Sequence, residues 1–300
     1  MTVAPIVLFT YARPDHARRT VDALLKNPQA LSSDLFVFSD AARTPDKQPA
    51  VDAVRAYLAT ITGFRTVNIH HRPYNFGLAK SIIEGVSQIL SEHERVVVLE
   101  DDMETSPHFL TYMNEALDLF VADERVISVH GYVYPVDQPL PEAFFLLGAD
   151  CWGWATWRRG WALFNPDGKY LLNELKKQKK TKAFDFNGAN PFTKMLEDQI
   201  KGQNDSWAIR WHASAFLAGK LTLHPGRSLV HNIGNDSSGT HCGSSETYDI
   251  KVSANPINLS CVEVVPSSEG EAAFECFYKQ SRVSLVRRIA RRVIAILTKK

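Results

Sequence analysis

Three short apolar runs, each followed by a segment of helical spacing, and then a fourth run, fill the first hundred positions of this 300-residue chain. The first covers Ile6 to Thr10 and leads into "RPDHARRTVDALLKNP", where Pro14 or Asp15 marks a helix start and Asn27-Pro28 a stop. The second, "DLFVFSDAA", ends in Ser39 and Asp40 and precedes "QPAVDAVRAYLATI". The third, "FRTVNIHHR", passes through "PYNFG" into "LAKSIIEGVSQIL", and the fourth is "VVVLEDD". Runs this short, without helical spacing, are strands buried on both faces. Alternating with helices, they predict a right-handed, doubly wound, mostly parallel sheet of the α/β class.

The fourth run passes from Val96, Val97, Val98 and Leu99 directly into Glu100, Asp101 and Asp102. Three adjacent like charges repel, and they are tolerated where a cation or a set of hydroxyls takes up their charge. They stand at the carboxyl end of a parallel strand, the edge at which open α/β sheets bind ligands. In extended backbone Glu100 and Asp102 point to one side and Asp101 to the other. A solvated acidic loop is the competing reading. No GxGxxG follows the first strand and no GxxxxGK[ST] occurs, which argues against a dinucleotide site or a P-loop. The first loop, "TYARPDHARR", offers arginine and a helix amino end instead. A nucleoside diphosphate bound here needs its charge neutralised elsewhere, and Mg or Mn held by the acids does that.

With 45% apolar and 22% charged residues the chain is globular, and a net charge of +1 gives no field for nucleic acid. The charge is uneven, because seven basic residues and no acid lie in the last twenty, leaving the first 280 at a net −6. Cys151, Cys242, Cys261 and Cys276 form no CxxC pair and suit free thiols in a reducing compartment. "MTVAPIVLFTY" has no basic n-region and too short an apolar run for a signal peptide or membrane anchor, so a cytoplasmic start is expected.

The order "VLFTYARPDHARRTVDALL", "FVFSDAA", "NFGLAKSI", "VVVLEDDMETSPHFLTYM" resembles the nucleotide-binding half of a GT-A glycosyltransferase. The nearest pattern is that of N-acetylglucosaminyltransferase I and its bacterial relatives, which carry EDD as a version of the DXD motif. The resemblance covers Pro5 to Met113. It continues more weakly through "CWGWATWRRGW" and "NDSWAIRWHASAFLAGKLTLHPGRSLVHNIGNDSSGTH" and stops before the tail. It implies an inverting, metal-dependent transfer from a nucleotide-sugar donor, UDP by resemblance, to a saccharide. It further implies that Asp102 binds Mn or Mg and that Glu100 and Asp101 reach ribose or donor-sugar hydroxyls. Arg13 and Asp40, at strand ends, then frame base and ribose, Thr10 belongs to the same donor-binding set, and Lys80 faces the diphosphate. A surface role for Arg13, a turn-capping role for Asp40 and a solvated helix position for Lys80 remain open.

The second half should hold the acceptor site and a carboxylate base. Asp205 in "QNDSWAIRW" is the candidate, by resemblance to transferases with an Asp directly before a Trp; here Ser206 intervenes. The competing reading makes Asp205 a helix N-cap, and Asp198 and Glu197 are the fallback bases. Trp154, Trp157 and Trp161 share a helical face that reads as core, while Trp152 or Trp154 beside Gly153 offers a platform for a sugar ring. "SLVHNIG" enters a Gly-Ser-rich loop, where the resemblance implies a histidine on metal or diphosphate, His241 before His231.

Organisation follows: a nucleotide-sugar-binding half (1–113), an acceptor and catalytic half (114–265), a linker (266–280) and a basic amphipathic helix (281–300). On that helix Leu285, Val286, Ile289, Val293, Ile294, Ile296 and Leu297 oppose Arg287, Arg288, Arg291 and Arg292, a pattern that suits an anionic membrane surface. The expectation is a bacterial enzyme peripheral to the cytoplasmic face of the inner membrane, acting on a cell-envelope or lipid-linked saccharide. A nucleotidyltransferase is the rival enzyme class, but "TYARPDH" lacks that class's Gly-rich basic loop. A non-catalytic membrane-associated binding protein would need neither the EDD nor Asp205.

Overall fold

The computed structural model describes residues 3–236 and 246–297. Its strands are β1 (Ile6–Thr10), β2 (Asp34–Ser39), β3 (Thr66–His71), β4 (Arg95–Glu100), β5 (Met103–Thr105), β6 (Val126–His130), β7 (Ala143–Leu147), β8 (Trp154–Trp157), β9 (Leu221–Pro225) and β10 (Val230–Asn232). Its α-helices are α1 (Pro14–Leu25), α2 (Gln48–Leu58), α3 (Leu78–Glu92), α4 (Phe109–Leu119), α5 (Arg158–Trp161), α6 (Gly168–Lys177), α7 (Thr181–Phe184), α8 (Phe192–Ile200), α9 (Trp207–Leu217) and α10 (Ser268–Leu297). Eight strands form one sheet in the order β3-β2-β1-β4-β8-β6-β9-β7, and β5 pairs with β10 beside it.

The first four strands are mutually parallel, as the alternating pattern predicts. Their period-two alternation sorts the core into two layers. Ile6, Leu8, Val97 and Leu99 pack with Val21, Leu24, Val54, Leu58 and Met113 of α1, α2 and α4. Val7, Phe9, Val96 and Val98 pack on the other face with Ile82, Val86, Trp207 and Trp211 of α3 and α9. The second half is the mixed region expected, because β8 is antiparallel to β4 and β6, and β7 to β9.

Two expectations change. Trp154 and Trp157 lie on a strand, not a helix, since β8 pairs on both sides. Trp154 therefore joins Trp161, Trp207 and Trp211 on one face, while Trp157 faces the other core and donates from Nε1 to the Leu117 carbonyl. The proposed linker at 266–280 is helical from Ser268, because Phe274, Phe277 and Tyr278 bury themselves against Val133, Phe144 and Leu146. The helix backbone continues to Leu297, and the side chains of the expected membrane face lie outside the described residues. Among the described residues no helix is long and apolar enough to cross a membrane. Cys151, Cys261 and Cys276 are free thiols; Cys242 lies outside the described residues.

Candidate functional site

The carboxyl ends of β1, β2 and β4 meet where the acids stand. Glu100 ends β4 opposite Phe9, and Asp101 and Asp102 form the turn into β5. This turn is held from several sides. Thr20 of α1 donates its hydroxyl to the Asp101 carbonyl (2.8 Å) and accepts the Met103 N–H (3.1 Å). The Ile233 N–H, just past β10, donates to the Asp102 carbonyl (2.9 Å). Gly234 then passes so close that a methyl group there would collide with the Asp102 carboxylate. Only a residue without a side chain allows that approach.

Arg13 answers part of the charge problem. Its guanidinium bonds to the Asp101 carboxylate and to Asp102 Oδ2 (2.8 Å). Burial alone would lower its pKa, but the two aspartates hold it above the ordinary arginine value. Arg13 is thus part of the acid cluster, not a frame for base and ribose. Asp101, which also accepts the Tyr11 N–H (3.2 Å), is buried and internally bonded, so it does not reach out to ribose or sugar hydroxyls.

Among the described residues Asp102 Oδ1 is buried without a partner, and Glu100 stands near it. Burial, then Asp102 and Asp101, push the Glu100 carboxyl up to about 8. An orphaned carboxylate oxygen beside a second, reluctant carboxylate is the donor set for a hard cation that takes its other oxygens from phosphate and water. Asp102 with Glu100 would hold Mg or Mn there. Among the described residues no three His, Cys, Asp or Glu side chains converge on a metal position. His231 is turned to Asp249 (2.6 Å) and Glu104 (3.8 Å), which takes it out of the role of metal ligand; His241 lies outside the described residues.

Along the same edge, Thr10 is buried and its hydroxyl has no partner among the described residues, a group available to a ligand. Asp40 is not available. It accepts from the Ala41, Phe76 and Gly77 N–H groups (2.9, 2.8 and 3.0 Å) and from Asn75 Nδ2 (3.0 Å), tying the loop ahead of α3 to the end of β2. Its role is the structural one, on a different turn from that expected. Lys80 lies on the exposed face of α3 over the Phe76 ring (4.4 Å) and near Glu84 (3.7 Å), the solvated position.

Asp205 reaches this edge by topology. β9 runs parallel to β6 and hence to β4, and α9 returns into β9 through three residues, so the start of α9 lies at the carboxyl edge. Ser206, not Asp205, is the N-cap, accepting the Ile209 N–H (3.2 Å). Asp205 is 71% exposed and 3.7 Å from Arg210. The fallback carboxylates are bound to lysines of their own surface, Asp198 to Lys194 and Glu197 to Lys176 (3.2 Å). Trp154 is buried, leaving Trp152, half-buried against Tyr132 and Tyr248, as the accessible indole.

Sequence reasoning passed over Asp150, whose carboxyl group lies on the loop entering β8 and is raised in pKa by burial. The burial of Cys151 and its proximity to Asp150, Glu100 and Asp102 raise the thiol's pKa. Asp150 and Cys151, just ahead of β8, therefore lie at the same sheet edge as the end of β4. "GADCWGW" carried a signal in its lone acid between glycine and aromatics, but only strand pairing brings it to the carboxyl edge of β4.

Comparisons with known proteins find matches to the first half of the chain. An Arabidopsis thaliana alpha-1,3-mannosyl-glycoprotein 2-beta-N-acetylglucosaminyltransferase is 26% identical over 140 residues, 44% of this chain and 31% of the relative. The matched region spans about a third of that relative. Among solved structures, a mannosyltransferase from Pyrobaculum calidifontis in complex with GDP-Man and Mn2+ is 18% identical over 44% of this chain and 35% of its own, with a TM-score of 0.33. A UDP-glucose pyrophosphorylase complexed with UDP-glucose is 11% identical over 74% of this chain and 90% of its own, with a TM-score of 0.37. At these TM-scores neither likeness carries an argument. Residues 1–134, from β1 through β6 and thus including the whole EDD cluster, match the GNT-I family.

Proposed function

We propose that this protein is a glycosyltransferase that moves a sugar from a nucleoside-diphosphate donor to a saccharide acceptor. The observation that carries the reading is the carboxyl end of β4, where Asp102 Oδ1 is buried beside Glu100 with no partner among the described residues, inside the stretch that matches the GNT-I family. A bound divalent cation supplies charge neutralisation for the departing diphosphate. The chain's own part is to orient that group. Arg13 fixes Asp102 and Asp101, Thr20 and Ile233 fix their backbone, and Thr10 offers a hydroxyl toward the nucleotide.

Inversion requires a carboxylate that takes the acceptor's hydroxyl proton as its oxygen attacks the anomeric carbon opposite the leaving diphosphate. We take Asp205, at the carboxyl edge and open to solvent, as that base. UDP as nucleotide, Mn or Mg as cation and a cell-envelope or lipid-linked saccharide as acceptor belong to the same proposal. So does peripheral attachment to the cytoplasmic face of an anionic inner membrane through residues 281–300.

The test is turnover. Purified protein incubated with UDP- and GDP-sugars and Mn2+ should release the nucleoside diphosphate, faster with saccharide acceptors present. Asp205→Asn should lower the rate by roughly 10²–10⁴ with donor affinity retained. Release of pyrophosphate from a nucleoside triphosphate and a sugar phosphate would instead establish a nucleotidyltransferase.

A further inference from the structure

We propose that the lysine cluster from Lys176 to Lys182 is a second membrane-docking point, which binds the headgroups of an anionic bilayer beside the basic tail and fixes how the protein stands on that surface. This rests on the membrane attachment proposed above for residues 281–300 and adds the part of the folded body that touches the lipid.

The segment reads "KKQKKTK", five lysines in seven residues with no acid among them. It closes α6 and opens α7, and its backbone is pinned at both ends. Leu175 and Phe184 are fully buried, Phe184 against the rings of His212 and Phe216 (5.0 and 5.4 Å between centroids). Between them the Lys179 N–H donates to the Lys176 carbonyl (3.0 Å) and the Lys180 N–H to the Leu175 carbonyl (2.9 Å), the paired bonds that end a helix through a left-handed residue. Lys176, Lys177, Lys179 and Lys182 are thereby left exposed on a fixed loop.

Folding stability does not account for most of these side chains. Lys179 is the left-handed residue, with φ +55°, where glycine is the favoured choice and a side chain costs stability. Lys176 and Lys177 lie in the last turn of α6, where a cation is favoured, and pair with Glu197 (3.2 Å) and Glu174 (3.4 Å). Lys179, Lys180 and Lys182 make no ion pair among the described residues. Lys180 and Lys182 stand at the amino end of α7, the end at which backbone dipoles disfavour cations. Like charges this close repel one another until an anionic surface neutralises them.

The cluster adjoins the tail. Asn187, in the turn after α7, donates from Nδ2 to Glu275 of α10 (2.8 Å), and Lys182 lies within electrostatic reach of the same carboxylate. Two turns on, the Arg282 guanidinium donates to the Gly188 carbonyl (2.9 Å), so the tail departs from the body beside the lysine loop. The α10 backbone stays helical to Leu297, which puts Arg287 and Arg288 about 8 Å further along the axis. That is about one Debye length at physiological salt. The two clusters therefore act as one positive field, for which a plane of anionic headgroups is the complementary partner. A helix lying alone on a bilayer lets the body turn about the helix axis, and a second cationic point fixes that angle. Stable attachment takes two signals, here apolar insertion by the tail and a polybasic patch on the body.

The experiment is cosedimentation of the full chain with phosphatidylcholine vesicles, with and without phosphatidylglycerol. It compares the wild type, a triple variant carrying Lys179→Gln, Lys180→Gln and Lys182→Gln, the same three positions changed to Arg, and Lys179→Gly alone. The expected result is that the wild type binds only vesicles containing phosphatidylglycerol and that the arginine variant binds as the wild type does. The glutamine variant should bind on the order of a hundredfold more weakly, at roughly fivefold per lysine. Lys179→Gly should weaken binding about fivefold while raising the unfolding midpoint by roughly 2 °C, opposite effects that a purely structural loop does not give. A glutamine variant that binds as tightly as the wild type, while the chain ending at Arg282 does not bind, overturns the cluster and leaves the tail's role standing. A soluble polyanion, dextran sulfate, bound in preference to the vesicles and lost in the glutamine variant, overturns the choice of a bilayer. Wild type that ignores phosphatidylglycerol refutes membrane attachment itself, and the docking point with it.

Discussion

At the scale of single residues the acid cluster is a problem solved halfway. Arg13 satisfies Asp101 and one oxygen of Asp102, and leaves Glu100 with a carboxyl raised to about 8. Its unfolded value lies near that of a free glutamate, so between about pH 4.5 and 8 the folded protein binds a proton that the unfolded chain does not. Metal-free stability from this residue is therefore lost as pH rises through that window. Glu100→Gln should raise the metal-free unfolding midpoint at pH 8, by about 2 °C or more for each kcal/mol recovered, and change it little at pH 4; an equal shift at both values would refute the cause given. Gly234 makes a second prediction. Gly234→Ala should displace Asp102 or Arg13 and weaken Mn2+-dependent nucleotide binding about tenfold or more, read by titration, because the new methyl group has no room.

At the scale of elements, the first four strands and three helices were legible because each apolar run was short, each helix carried a Pro or Gly at its start, and parallel strands buried on both faces leave an unbroken apolar signature. β8 was not. Trp154, Trp157 and Trp161 fit helical spacing as well as they fit strand and short helix, and pairing to β4 and β6 decided between them. The same limit hid Asp150, since its place at the carboxyl edge of β4 follows from the pairing of β8 with β4. Arg13 and the acids were each visible, but 88 residues separate Arg13 from Asp101, and nothing local shows that they meet. The start of α10 was read as linker because "PSSEGE" is polar, while its three aromatics sit at helical spacing further on. Two deletions separate its parts. A chain ending at Arg282 should keep its midpoint within about 1 °C and lose binding to vesicles rich in phosphatidylglycerol; one ending at Ser267 should lose several kcal/mol with Phe274 and Phe277.

At the scale of the molecule, buried histidines couple the sheet to pH. His130 and His224, in contact at 3.4 Å under the Asp150 loop, are both held near 3 by burial, against about 6.5 when unfolded. The unfolded chain takes up protons that the folded chain refuses, so their contribution is intact above pH 6.5 and is lost as pH falls toward 3. Two such groups give a slope of roughly 2.7 kcal/mol per pH unit below about pH 6. Denaturant unfolding from pH 7 to 4 should show it, and His224→Gln should roughly halve it. The central claim is that the carboxyl end of β4 is a metal and nucleotide site. Its most direct measurement is the unfolding midpoint of wild type and Asp102→Ala with nucleoside diphosphates, with and without Mn2+. The account predicts that one nucleotide raises the wild-type midpoint only when metal is present and that Asp102→Ala abolishes the rise. Stabilisation that ignores the metal and Asp102, or none at all, would contradict it.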